Sequence, residues 1–439
     1  MSWRECIKIG YDLPVRLSKS ILNLLENDNR YKLTIFTIIF LAGLVLWYFR
    51  ILMLFGQFSN PHGENIWFGD FSAYYNAVKL YLSGEDIYGN TGFFYPPLSL
   101  LLFLPIGYLS FEQACSLMAI FNVFMLISIT LLISRILQYY GILLSKTEVS
   151  LIFVATFLFY PISTSFTAGQ INILILFLIT LFYYCLFVKE KKTIASIFLS
   201  IATIIKLWPF VLMLLNFVAQ KTRGLFARYC LAFGTLFFIS LALFGTSMHI
   251  DFLNKLMDFQ SISLRMHDEV LHPTDALDTN ASLSNSIFKL LSIFGASNFY
   301  LSQLLSGLKL IFIFLVLYYL HKLSIEKFSS RYEWDILTFT SLIILVFIAS
   351  NITWIYYGSF LVLSYMLLIF VIKLNIVEKN LLMGSIALFS AQQYVVSLSN
   401  MLGGTIQTMV YIASPSTYAY LLFLFLIFYM IKRRKERRS

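Results

Sequence analysis

Residues 191–223 read KKTIASIFLSIATIIKLWPFVLMLLNFVAQKTR. The apolar run 193–219 is interrupted near its middle by Lys206-Leu207-Trp208-Pro209. Basic residues flank it on both sides, Lys191 and Lys192 before it and Lys221 and Arg223 after it. A single spanning helix would leave one of these clusters on the outer face of a membrane, against the bias of Lys and Arg toward the cytoplasm. Two short helices turning at Lys206–Pro209 keep both clusters on one side. Each half has about 13 residues, or ~20 Å at 1.5 Å per residue, which is too short for a hydrocarbon core of ~30 Å. Pro209 cannot donate a hydrogen bond to a continuing helix. The stretch therefore reads as a hairpin tucked beneath an outer cavity, with Lys206 at its tip.

The rest of the chain agrees with a membrane setting. Of 439 residues, 59% are hydrophobic and 12% charged, and the mean hydropathy is +0.79. Soluble domains lie near 45–50% apolar and about 25% charged. Disorder is excluded, and so is a large soluble enzyme on one anchor, because the apolar runs occur along the whole chain. The runs are continuous rather than alternating, which excludes a β-barrel. An all-α polytopic membrane protein remains. The net charge of +10 fits cytoplasmic loops that orient helices rather than nucleic-acid binding. Cys6, Cys115, Cys185 and Cys230 show no metal-ligand spacing. The first apolar run has no small-residue cleavage site and reads as a retained helix.

Apolar runs and Lys/Arg positions together predict about 12 transmembrane helices and two long outer loops. Residues 1–32 form a cytoplasmic N-terminal segment, 33–431 one membrane domain, and 432–439 a basic cytoplasmic tail. Within the domain, 56–111 is the first outer loop and 248–298 the second. The segment 95–109, with Pro96, Pro97 and Pro105, reads as re-entrant or interfacial. The predicted helices are 33–55, 112–137, 149–167, 171–188, the hairpin 193–219, 229–247, 300–321, 335–350, 355–374, 381–398 and 414–431. This threading places 25 of the 32 Lys/Arg in the cytoplasm.

A few polar residues stand out against this background. In the first outer loop an amphipathic helix is predicted from Phe71 to Leu82, stopping at Gly84, with Phe71, Tyr74, Tyr75 and Val78 on one face. Asp70 then occupies the N-cap. The same carboxylate is positioned to take a proton from a hydroxyl. Glu85, Asp86 and Tyr88, followed by Tyr95-Pro96-Pro97, read as a rigid turn. Gly169-Gln170-Ile171-Asn172 lies at an outer junction, either as a tight turn or as a ligand-binding pair. Lys206 is costly in hydrocarbon unless it faces protein, water or an anion, which makes it a candidate phosphate ligand, with snorkelling as the plainer reading. Lys309 is a weaker candidate. His267, Asp268, Glu269 and His272 match no zinc or EF-hand spacing.

In this order the segments resemble glycosyltransferase family 87, within the glycosyltransferase-C class of membrane-embedded enzymes. The matching stretches begin with Asp70-Phe71 through Tyr74-Tyr75 and Ala77, with Gly84 and Tyr88, and continue with Tyr95-Pro96-Pro97-Leu98. Gly169-Gln170-Ile171-Asn172, Lys206-Leu207-Trp208-Pro209 and Asn280-Ala281-Ser282-Leu283 complete the set. Together they cover roughly residues 65–290. The resemblance implies inverting transfer of a sugar, mannose or another hexose, from a polyprenyl-phosphate carrier to an acceptor hydroxyl on a glycan or lipid at the extracytoplasmic face. It implies Asp70 as general base and maps the family's Lys-x-x-Pro hairpin onto Lys206 and Pro209. Where the family often carries arginine after Asn-x-Ser-Leu, Lys289 is the nearest basic residue. Where the family often has histidine after a tryptophan, Trp354 is followed by Ile355-Tyr356-Tyr357. The class has members that use a divalent ion and members that do not.

The expected site is therefore Asp70 as catalyst and Lys206 with Lys289 on the donor phosphate. Tyr74, Tyr75, Tyr95, Gln170, Asn172, Asn280 and Trp354 complete it on the substrate. No polar stretch is long enough for a nucleotide-binding domain, which favours a lipid-linked donor. Two other readings stay open. A flippase or transporter of a lipid-linked sugar would place charges deep in several helices, and only Lys206 and Lys309 are clear cases. A polymerase or ligase of lipid-linked glycans would carry several arginines in a large outer loop, where Arg265 is alone.

Overall fold

The computed structural model describes residues 28–54, 68–89, 92–218, 222–269, 331–350, 353–402 and 414–436, with residues 282, 307, 311, 313–318, 320–322 and 410 between them. Among the described residues the regular structure is helical, with no strand. Helix α1 is Asp28–Leu54 and α2 is Gly69–Ser83. Short turns follow at Pro97–Ser99, Leu100–Phe103 and Leu104–Tyr108. Helix α3 is Phe111–Tyr139, α4 Lys146–Leu158, α5 Tyr160–Thr167, α6 Asn172–Tyr183 and α7 Lys192–Ile205. A 3-10 segment Trp208–Leu214 runs into one α turn, Leu215–Val218. The remaining helices are α8 Leu225–Glu269, α9 Arg331–Ala349, α10 Val362–Phe370 (preceded by a 3-10 turn Ile355–Leu361), α11 Ile376–Leu402 and α12 Pro415–Glu436.

Several of these are long and apolar enough to cross a membrane. Phe111–Tyr139 and Pro415–Arg434 qualify individually, Leu225–Met257 does so by length and composition although it is broken at Gly245, and the bent pair α4–α5 would be a further one. Shorter apolar helices include Asn172–Val188, Lys192–Ile205 and Trp208–Val218.

The hairpin forms where the lysine and proline interrupt the run. Helix α7 ends at Ile205, Lys206 is extended (φ −146°, ψ 119°), and the next segment starts at Trp208 with Pro209 inside its first turn. The chain does return, because Lys192 Nζ donates to the Arg223 carbonyl at 3.0 Å. Lys192 and Arg223 therefore lie at one end.

One expectation needs correction. Residues 149–167 are not one helix. They bend by 64° between α4 and α5, with Phe159 at ψ 123°. Pro161 is the cause, since it lacks an N–H and its ring would clash with the carbonyl four residues earlier. Helix continues to Glu269 after a break at Gly245 (φ 73°, ψ 171°), so the described start of the segment 248–298 is helical. At the break the chain folds back sharply. Ser240 and His249, ~13 Å apart along a straight helix, are hydrogen-bonded at 2.8 Å. The returning part of α8 then packs on the segment after α2, where Lys255 donates to the Gly89 carbonyl at 2.7 Å. At the other end of the chain, helix α12 runs through the basic residues from 432 as far as Glu436.

Two of the tail's arginines are neutralised inside the protein. Arg434 pairs with Glu333 of α9 at 3.0 Å and with Glu378 of α11 at 3.3 Å, and Arg433 pairs with Glu378 at 3.1 Å. The Glu378 side chain is fully buried. This cluster ties α12 to α9 and α11; α11 and α12 also meet through apolar side chains such as Phe389, Tyr420 and Phe423 and through buried hydrogen bonds from Ser385 to the Ala419 carbonyl and from the Ser416 N–H to Gln392.

Candidate active site

The position of α2 follows from what satisfies its first backbone groups. A helix leaves its first N–H groups, and its last carbonyls, without partners in the helix. Asp70 was expected to cap α2, but its side chain does not. Phe68 takes the cap position, with φ 57°, and makes no side-chain cap bond. The N–H groups of Phe68 and Phe71 instead reach the carbonyls of Thr167 and Ala168 at the end of α5, at 2.8 and 3.1 Å. The start of α2 and the end of α5 thus satisfy each other. The bend at Pro161 brings α5 to this contact, and the arrangement leaves the Asp70 carboxylate to other work.

That carboxylate lies on the wall of a cavity of about 970 Å³. The lining of the cavity includes Asp70, Tyr74, Tyr95, Gln170, Lys206 and Tyr357. The lining also has an apolar part, with Leu207, Phe210, Leu214, Leu256, Leu317 and Leu345 among its residues. A volume of this size is within the range of sites that enclose small organic ligands.

Gln170 links the polar groups. Its Nε2 donates to Asp70 Oδ2 at 2.5 Å and to the Tyr356 hydroxyl at 3.4 Å. The hydroxyls of Tyr74 and Tyr95 lie 2.6 Å apart, and both are within reach of Gln170 Oε1, at 3.1 and 3.4 Å. Burial pushes the Tyr95 phenol above its ordinary range, so it joins this network as a neutral hydroxyl. The turn at 85–88 supports the same wall. The Tyr88 N–H donates to Asp86, and its hydroxyl donates to the Tyr95 carbonyl at 2.8 Å.

Lys206 is held by neutral groups. Its ammonium donates to Asn172 Oδ1 at 2.7 Å and stands 4.5 Å from the centre of the Tyr357 ring and 5.8 Å from that of Tyr95. Ring faces attract a cation without cancelling its charge. The Asp70 carboxylate is near enough to act on this ammonium electrostatically. One acid and one cation therefore face the same cavity from different parts of the chain.

The structure brings together Asp70, Tyr74, Tyr95, Gln170, Lys206 and Trp354 as lining residues. Asn172 is completely buried behind the wall and serves Lys206. Tyr75 points elsewhere, since its hydroxyl donates to the Leu109 carbonyl and its ring packs edge-on against Phe111. The Phe71–Tyr74–Tyr75–Val78 face predicted from spacing thus splits, with Tyr75 only half-buried. Asn280, Lys289 and His272 lie outside the described residues. Tyr356 and Tyr357 were not anticipated as site residues. They stand where a histidine was expected after Trp354, and their signal was a pair of phenols following a tryptophan at the start of an apolar run.

The sequence profile of glycosyltransferase family 87 matches residues 93–350, more than half of the chain. The match takes in Tyr95, Gln170, Asn172 and Lys206. It begins after Asp70 and ends before Trp354. No curated protein matches the chain. With the all-helical, apolar architecture described above, the profile match establishes that the chain is a membrane glycosyltransferase belonging to glycosyltransferase family 87.

Proposed function

We propose that this enzyme transfers a hexose, with mannose the first candidate, from a polyprenyl-phosphate carrier to an acceptor hydroxyl at the extracytoplasmic face. The observation that carries this reading is a single cavity lined both by Asp70 and Lys206 and by a set of apolar side chains. A sugar phosphate joined to a long isoprenoid needs both halves. The acceptor oxygen attacks the anomeric carbon while Asp70 takes its proton. The bond from that carbon to the phosphate oxygen breaks, the configuration inverts, and the polyprenyl phosphate leaves with its added charge beside Lys206. A phosphate is a good leaving group, so one base and one cation are sufficient. Tyr95, Tyr357 and Trp354 offer ring faces to the sugar. The isoprenoid lies along Phe210, Leu214, Leu256 and Leu317 and reaches the bilayer between helices. The proposed topology has about 12 helices in one domain, both termini in the cytoplasm, and the cavity opening outward. Asn280 and Lys289 are proposed to join the site from the second outer loop, Lys289 on the phosphate.

The test is transfer by purified protein from radiolabelled polyprenyl-phosphate-mannose to a membrane lipid extract, with the glucose and arabinose carriers in parallel. Asp70→Asn is expected to lower kcat by roughly 10²–10⁴-fold. Lys206→Ala is expected to raise the donor KM by about 10–100-fold, the loss of one charge-assisted contact. Full activity in both variants would sink the assignment.

A further inference from the structure

We infer that Gln170 is a positioning residue for Asp70 and does not itself hold the sugar or the acceptor. The inference rests on the reading of Asp70 as the base, and on an inventory of the amide's bonding capacity. A glutamine side chain has two N–H donors and two acceptor lone pairs. In this structure both donors have partners: the two protons on Nε2 reach Asp70 Oδ2 and the Tyr356 hydroxyl. Oε1 faces the hydroxyls of Tyr74 and Tyr95, and because those two also bond each other at 2.6 Å, one of their two protons is left for Oε1. No N–H of the amide remains for a sugar or acceptor oxygen, and the residue is only 5% exposed.

The orientation of the amide follows from the same partners. Turned over, it would set Oε1 against a carboxylate and waste Nε2 on hydroxyls that have protons of their own. The observed sense makes Asp70 Oδ2 an acceptor from protein, which leaves Oδ1 for the incoming hydroxyl. Gln170 is itself fixed by the turn that receives α2, because its N–H donates to the Ser165 carbonyl at 2.9 Å. Two connections therefore run from the 167–170 turn to Asp70. The backbone carbonyls of Thr167 and Ala168 set where α2 begins, and the Gln170 amide sets which way the carboxylate turns. A free carboxylate rotor at the mouth of a cavity would spend much of its time aimed elsewhere.

A ligand-binding glutamine and a positioning glutamine differ in kinetics. Gln170→Ala is expected to lower kcat about 100-fold, the scale of a base misplaced by about an ångström, while donor and acceptor KM stay within about threefold of wild type. Gln170→Glu is nearly isosteric and keeps the buried volume, so it tests the same point if the alanine variant fails to fold. It places a second acid against the first. The ionisable groups facing Asp70 are Tyr74, Tyr95, Tyr356, Tyr357 and Lys206, and among them no carboxylate opposes its charge. The new one does, so the acidic limb of the kcat/KM profile moves to higher pH by about one unit or more.

The measurement is the pH profile and the kcat–KM split for wild type, Gln170→Ala, Gln170→Glu and Asp70→Asn, using the radiolabelled polyprenyl-phosphate sugar that wild type accepts. A raised KM at unchanged kcat in Gln170→Ala would return the residue to substrate binding and overturn the inference. An unmoved acidic limb in Gln170→Glu would overturn it as well. Inactive Asp70→Asn beside normal Gln170 variants would leave the base in place and remove only its positioner. Active Asp70→Asn would remove both.

Discussion

Gly169 shows how tightly the site depends on a single backbone position. It adopts φ +68°, and a Cβ there would stand 2.6 Å from both Phe68 Cδ1 and Phe71 Cβ. An L side chain costs about 1–3 kcal/mol in that region of conformational space, and here it would also push on the two residues that flank Asp70. Gly169→Ala is therefore expected to lower stability by that amount and kcat by at least tenfold. Gly84, at φ +76°, has open space around the same added atom, so Gly84→Ala should lose comparable stability with kcat nearly intact. Equal kcat losses in the two variants would show that strain alone, and not displacement of Asp70, is being read. The sequence made Lys206, Gln170 and Asn172 legible for one reason: polar groups in apolar runs are costly and so are conspicuous. Asp70 was visible too, but its local role was misread. The carbonyls that replace it as cap come from Thr167 and Ala168, about a hundred residues away, and no local pattern announces them. Tyr356 and Tyr357 were hidden differently, because phenols in an apolar stretch look like core.

Helix breaks were legible in proportion to how local their cause is. Pro209 lies beside a lysine in the middle of an apolar run, and the hairpin follows from those two residues. Pro161 breaks α4 from α5 by the same mechanism, but the helical pattern around it is otherwise unbroken, and the bend escaped the sequence reading. The extension of α8 beyond Gly245 escaped for the opposite reason. Residues 248–269 are polar enough to suggest a loop, yet Phe252 is buried and packs on Tyr88. The basic run at the end of α12 was read only as a marker of orientation. In the structure it is also a fastener, with Glu378 and Glu333 facing Arg433 and Arg434. Removing one partner of a buried ion pair usually costs about 3–5 kcal/mol, because the remaining charge stays desolvated. Glu378→Ala is expected to lower the thermal unfolding temperature of the detergent-solubilised protein and to shift it far more than Glu112→Ala, a change at an exposed position on α3. A Glu378→Ala transition matching wild type would mean that the apolar contacts of α9, α11 and α12 hold those helices without the cluster.

In the proposed topology, the hairpin decides how the chain is threaded through the bilayer. If residues 192–218 crossed once, every later segment would change sides, and the basic loops at 322–331 and 432–438 would face outward with it. The bond from Lys192 to the Arg223 carbonyl argues for the other threading, in which the chain enters and leaves at one face. Lys206 then meets Asp70, Tyr95 and Gln170, which come from segments read as outer on quite separate grounds. One cavity shared by all four is what a consistent threading requires, since a single inversion anywhere between residues 70 and 206 would separate the base from the cation by the thickness of the membrane. Single cysteines placed at Lys191, Arg223 and Glu85, in a chain whose native cysteines are serine, give the direct test. A membrane-impermeant maleimide applied to intact cells should label the cysteine at 85 and leave those at 191 and 223 unlabelled until the membrane is opened. Labelling at 223 with protection at 191 would make the segment a true span. It would also move Lys206 into the hydrocarbon, where a cation that faces neither water nor an anion costs several kcal/mol. The two-sided result therefore has to come with a loss of the polar cavity, and the protected pair at 191 and 223 with its survival.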